Sequence, residues 1–299
     1  MTRCVGVDVS LGRGQDVALL DGVRVVRTWS RVGFDALTEL LRELRPDAVG
    51  IDAPPRPGLS LLRDPAEAAR LPVPPRPGTH LDRRIAEYEL SRRGIGSHQT
   101  PRDEDRLFSW MTAGFEVFAA AERAGYPPYL GSGEGSGGAL EVFPYASYVA
   151  LCGCLSPGRR HRLVWRRRVL EEAGVTGVPE DATIDAVDAV CAAVTAVRFL
   201  DGDGSWIGDE REGVIVLPAR LHDGYRRCAA PDGSLHPAGT APSRLCECGC
   251  LRPVRRRFLP GHDAILKSRL LREMRAGDQA RRRLEDLGWA AATGEEANA

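Results

Sequence analysis

The chain has 299 residues, 43% of them hydrophobic, and its 41 basic and 41 acidic side chains cancel. That length and apolar share suffice for one large core, or a core with a small appendage, and exclude wholesale disorder. The cancelled charge means that any polyanion-binding face is local, and the opening MTRCVGVDVS is too polar for a signal peptide or membrane anchor, so the expectation is a soluble, cytoplasmic protein with no membrane partner.

In residues 4–10, Val5, Val7 and Val9 share one face and Gly6, Asp8 and Ser10 the other, the pattern of a strand ending in a polar cluster. Residues 16–20 and 23–29 predict two further strands joined tightly at Asp21-Gly22. Leu37, Leu40, Leu41 and Leu44 predict a helix over 34–44 that Pro46 stops. Residues 47–53 repeat the first pattern, with Gly50 and Asp52 on one side.

The Pro- and Arg-rich residues 54–79 predict an exposed excursion, followed by helices over 81–93 and 107–124, the second with Trp110, Met111, Phe115 and Phe118 as its packing stripe. The glycine-rich 131–138 lacks the lysine and following helix of a phosphate-binding loop and reads as a mobile loop. A strand over 140–143 ends at Pro144; helices follow from 145, over the basic 159–173 and over 184–200, the last capped by Asp181 or Thr183. After a strand at 214–217, residues 219–244 read as a linker, separating a domain over 1–218 from a cysteine-rich basic module over 245–299 with a helix at 264–287.

Strand, hairpin, strand, helix, strand is the element order of an RNase H-like α/β sheet, in which the fourth strand lies beside the first. Asp8 and Asp52 would then be neighbours, and Asp185 and Asp188, at i and i+3 in the late helix, can approach them. Glu141 also ends a strand and competes with Asp52 for the second acidic position. Crowded carboxylates persist best when cations neutralise them, and oxygen ligands suit Mg²⁺ or Mn²⁺, which assist phosphodiester hydrolysis without histidine. Taken singly, Asp185 and Asp188 also suit the positive end of a helix.

The segments Val5-Gly6-Val7-Asp8, Gly50-Ile51-Asp52-Ala53-Pro54, Arg92-Arg93-Gly94-Ile95, Thr100-Pro101, the eight residues from Glu141 to Tyr148, and Asp185-Ala186-Val187-Asp188-Ala189 resemble the family DUF429 across about residues 3–218. That resemblance implies an RNase H-like fold and a predicted nuclease. The late helix also resembles the final helix of RuvC-type Holliday-junction resolvases, which implies metal-binding roles for Asp185 and Asp188, with Asp8 matching the strand-one aspartate. Glu87, Glu89, Arg92 and Arg93 are candidate substrate contacts, against the alternative of a solvated charged face.

Cys246, Cys248 and Cys250 alternate, so an extended backbone turns them to one side, where Cys228 or His262 would complete a tetrahedral Zn²⁺ site. The remaining cysteines are expected as reduced thiols, with Cys4 and Cys191 in buried apolar runs. The arginines from 252 onward suit phosphate contact with DNA or RNA. The leading expectation is a metal-dependent nuclease; the competing ones are a non-catalytic nucleic-acid adaptor and an actin-like or sugar-kinase-like ATPase, for which Leu11-Gly12-Arg13-Gly14 supplies only a weak phosphate loop.

Overall fold

The computed structural model describes residues 1–132, 137–158 and 161–228, with positions 244–245, 253–254 and 266, and the chain divides into two compact units, Met1–Asp232 and Gly233–Ala299. In the first unit, β1 (Arg3–Asp8), β2 (Gln15–Asp21) and β3 (Arg24–Val32) form an antiparallel meander that turns at Gly22, whose φ of 57° is one that glycine adopts readily. The helix α1 (Phe34–Leu44) leads to β4 (Ala48–Asp52), parallel to β1, and β5 (Ala139–Glu141) adds beside β4. The resulting order, β3-β2-β1-β4-β5, is the RNase H-like mixed sheet that the element order implies.

Helices cover both faces. The valine face of β1, with Val49 and Ile51 of β4, packs on Leu37 and Leu41 of α1 and on Val117, Phe118 and Ala121 of α4 (Ser109–Arg123). The opposite face carries α7 (Ile184–Leu200), with α5 (Pro144–Cys152) and α6 (Arg162–Glu172) packed beside it. Two shorter helices, α2 (Pro65–Ala69) and α3 (Ile85–Arg92), precede α4, and a hairpin of β6 (Ser205–Asp209) and β7 (Gly213–Leu217) follows α7. Among the described residues, no helix is long and apolar enough to cross a membrane.

The contact between α7 and the sheet is nearly backbone to backbone. A Cβ on Gly6 would stand 1.9 Å from the Ala189 carbonyl oxygen and 2.5 Å from the Ala193 nitrogen; one on Gly50 would stand 2.4 Å from the Ala192 oxygen. These two glycines pair in register across β1 and β4, so together they make the shelf on which the alanine side of α7 rests. Gly6→Ala must lift the helix and is expected to destabilise the protein by roughly 1–3 kcal/mol. A denaturant midpoint equal to that of the parent protein would show that the shelf is not needed.

Several sequence expectations need correction. The excursion over 54–79 is not wholly exposed: Leu62 packs on Ile85 and Tyr88, and the buried Glu212 carboxylate accepts the backbone N–H of Leu59 (3.1 Å), Leu61 (3.1 Å) and Ile85 (3.0 Å). A distant acceptor thus satisfies loop backbone that would otherwise need water. The strand β6 was not foreseen, because five residues with a positive-φ Gly208 carry little alternation. Residues expected as linker are tied into the first unit up to Cys228: Tyr225 is buried, and Leu155 exchanges backbone hydrogen bonds of 2.7 Å with Arg226 and Cys228.

That pairing brings Cys228 to Cys154, and the two form a disulfide across 74 residues, contrary to the expectation of reduced thiols. Cys228, one of the two alternatives for the fourth zinc ligand, is therefore not available as a thiolate. Cys4 and Cys191 are free and buried, as their apolar runs imply. In the second unit, residues Arg244–Leu245 pair antiparallel with Pro253–Val254. Cys246, Cys248, Cys250 and His262, with the basic helix expected at 264–287, lie outside the described residues.

Candidate metal centre

Asp8 is the last residue of β1 and Asp52 the last of β4, and they face each other in register. Both lie two residues beyond the Gly6 and Gly50 shelf, hence on the face covered by α7. Asp16, near the start of β2, is the antiparallel partner of Asp8. The helix α7 begins just after Thr183, whose hydroxyl accepts the Ala186 N–H at 3.2 Å. Because Ala189 sits over Gly6, one turn back along the helix sets Asp188 and Asp185 over the strand ends.

Oxygen atoms of Asp8, Asp52 and Asp188 all lie within 4.8 Å of one another, and so do those of Asp8, Asp16 and Asp185. Asp8 belongs to both triplets and is only 8% exposed. Burial, then the charges of Asp52, Asp188, Asp185 and Asp16, push its carboxyl up to about 10. Burial and Asp188 also raise Asp52 well above the carboxylate range, against the opposing pull of Arg166 and a hydrogen bond with Asp8. Asp188 rises to about 6, chiefly through burial, while Arg166 and the Tyr148 hydroxyl oppose the rise.

The cations present offset this charge only in part. Arg166 of α6 pairs with Asp188 while lying 5.4 Å from the Tyr148 ring centroid, and Arg13, on the exposed β1–β2 loop, pairs with Asp185. The Tyr148 hydroxyl donates to Asp188 Oδ1 at 3.0 Å, and the Ser30 hydroxyl to Asp16 Oδ1 at 2.5 Å. Five carboxylates thus meet two guanidinium groups. The donors in both triplets are carboxylate oxygens with no thiol or imidazole, which is the chemistry that hard divalent cations such as Mg²⁺ and Mn²⁺ prefer.

Glu141 stands apart from both triplets. Although it follows β4 in the sheet, its carboxylate is gripped by Arg84 through bonds of 2.8 and 2.5 Å, so it is an ion-pair partner and not a further ligand in this arrangement. Glu87 is buried as well: it accepts from Arg84 Nε at 3.0 Å, from the Arg84 backbone N–H at 3.2 Å and from the Thr100 hydroxyl at 2.5 Å. Glu89 pairs with Arg92 and Arg93, which both reach Asp223. The four residues expected to contact substrate thus each have partners within the protein, and Glu87 also walls the cavity beside Asp52.

Asp16, Arg13, Arg166 and Tyr148 were not anticipated. Asp16 was within reach, because pairing the predicted hairpin strands sets it opposite Asp8. A cavity of about 240 Å³ opens beside Asp52, walled in part by Arg84, Glu87, Glu141 and Trp110.

Among solved structures, the chain is similar to Thermus thermophilus RuvC, at 14% identity and a TM-score of 0.35, covering 67% of this chain and 95% of that one. It is also similar to T. thermophilus RuvC in complex with Holliday junction substrate, at 15% identity and a TM-score of 0.34, covering 68% and 95% respectively. No curated protein matches it. The family described as Protein of unknown function (DUF429) matches residues 6–212, a stretch holding the five-stranded sheet from Gly6 of β1 onward, both carboxylate triplets and α7, and the chain belongs to that family.

Proposed function

We propose that this protein is a divalent-metal-dependent phosphodiesterase acting on nucleic acid, with Asp8, Asp52, Asp185 and Asp188 as metal ligands and Asp16 as an additional one. The observation that carries the reading is the sharing of Asp8 between two carboxylate triplets, each within 4.8 Å. Such a shared carboxylate suits two adjacent cation positions. When bound, Mg²⁺ or Mn²⁺ would supply activation of water and stabilisation of the leaving oxygen.

The remaining roles belong to the chain's own groups. Tyr148 and Arg166 fix the orientation of Asp188 from the α5 and α6 side. Arg13, with its side chain 55% exposed at the rim, is free to exchange Asp185 for a substrate phosphate, for which a guanidinium is well shaped. The arginine-rich segment after residue 252 adds phosphate contacts that carry no sequence preference.

The test is hydrolysis of labelled single- and double-stranded DNA and RNA in Mg²⁺, in Mn²⁺ and in chelator. Cleavage is expected with either metal, is lost in chelator and is lost in Asp52→Asn. The proposal fails if no member of the panel is hydrolysed, or if Asp52→Asn cleaves as the parent protein does.

A further inference from the structure

We infer that the cavity beside Asp52 is a subsite for one unpaired nucleobase, and that single-stranded or frayed nucleic acid is therefore the preferred substrate class. The inference rests on the nucleic-acid reading above, because a base held there belongs to a strand whose backbone crosses the acidic cluster. Asp52 itself contributes to the wall, so an occupant is continuous with the carboxylate site.

Size, charge and surface chemistry select the occupant. At about 240 Å³ the cavity admits a ring system and not a duplex. Its charged walls are Asp52, Glu87, Glu141 and Arg84, three acids to one base, and every Arg84 nitrogen is already spent on Glu87 or Glu141. Such a wall repels a phosphate and tolerates a neutral base.

The remaining lining is apolar and aromatic apart from Ser97 and Thr100. His98 and Trp110 both face the cavity with ring centroids 5.7 Å apart, and Phe108, 49% exposed, packs at 5.3 Å on His98. The exposed His98 ring and the half-buried Trp110 ring on the cavity wall, with Phe108 packed behind His98, offer the stacking surface that unpaired bases use irrespective of sequence. An edge-reading donor is present: the Ser97 hydroxyl oxygen accepts from Arg83 at 3.1 Å, so its own O–H remains to be donated, while the Thr100 hydroxyl donates to Glu87.

The inference is tested by fluorescence anisotropy on the full chain, with Ca²⁺ in place of Mg²⁺. The probes are a single-stranded oligonucleotide, the same oligonucleotide with central abasic sites, and a blunt duplex. Abasic sites are expected to weaken binding by the parent protein roughly tenfold. His98→Ala and Phe108→Ala, both at exposed side chains, are expected to weaken the intact single strand by a similar factor, to be nearly indifferent to the abasic sites and to bind duplex as before.

Equal affinity for intact and abasic strands would overturn the inference, as would parallel loss of single-strand and duplex binding in the variants, or no binding of any probe. The two readings fail separately. A protein that discriminates abasic strands but hydrolyses nothing keeps the subsite and loses the phosphodiesterase assignment; one that cleaves intact and abasic strands alike loses the subsite alone.

Discussion

Asp8→Asn is expected to make the metal-free protein more stable at neutral pH while removing both its response to Mn²⁺ and its hydrolytic activity. The Asp8 carboxyl titrates at about 10 in the folded protein, against about 3.9 in an unfolded chain. The folded state thus binds more protons between those values, and stability falls as pH rises through that window. Asp188, held at about 6, adds to the same slope at its acidic end. Asparagine keeps the shape without the charge, so the variant's melting temperature should vary less between pH 5 and 9 and exceed the parent's at pH 8. The gain should be on the order of 1–4 kcal/mol, by analogy with the range found when buried ion pairs are replaced by hydrophobic residues of similar volume.

Mn²⁺ reverses the ranking. A cation stabilises the parent by binding the folded state alone, and more strongly at higher pH because it displaces protons from Asp8 and its neighbours. The variant lacks the ligand shared by both triplets and should show little shift, with hydrolysis reduced on the order of 10²–10³-fold or more. Thermal melts at several pH values, with and without Mn²⁺, separate the possibilities. A variant that melts below the parent without metal and still shifts with it would mean that Asp8 is a structural hydrogen-bonding residue.

How much of this was legible in the sequence depended on whether a position's neighbours are local. Alternation alone put Asp8 and Asp52 on the same face as Gly6 and Gly50, and the i, i+3 spacing set Asp185 and Asp188 on one side of a helix whose predicted bounds, 184–200, are those observed. Local patterns can do this because strand and helix periods fix direction. They do not fix partners. Glu141 and Asp52 look alike at strand ends, yet one meets Arg84 and the other meets carboxylates. Nothing in an arginine-rich chain marks Arg84 out as buried or Arg166 as half-buried against a carboxylate, and Cys154 and Cys228 are united only by a bridge between segments 74 residues apart. Each of these depends on a contact that exists only after the chain has folded.

Arg84→Met is expected to be among the most destabilising single substitutions in the first unit. Arg84 is 1% exposed, and its three guanidinium nitrogens join Glu87 at the start of α3 to Glu141 at the end of β5. Removing one partner of a buried ionic cluster leaves the others uncompensated, at a cost of about 3–5 kcal/mol. Even with Arg84 in place, burial holds the Glu141 carboxyl above its ordinary value; without it, Glu141 should take up a proton more readily, so the deficit should be smaller at pH 5 than at pH 8. The triple variant Arg84→Met, Glu87→Gln, Glu141→Gln should recover much of the loss, because no buried charge then remains in the cluster. These variants also decide the role of Glu141, whose strand neighbour Ile51 adjoins Asp52. If Glu141 is an ion-pair residue, Glu141→Gln lowers denaturant stability and leaves Mn²⁺ affinity within a few-fold. Loss of Mn²⁺ affinity at unchanged stability would instead return Glu141 to the metal centre and overturn its assignment to Arg84.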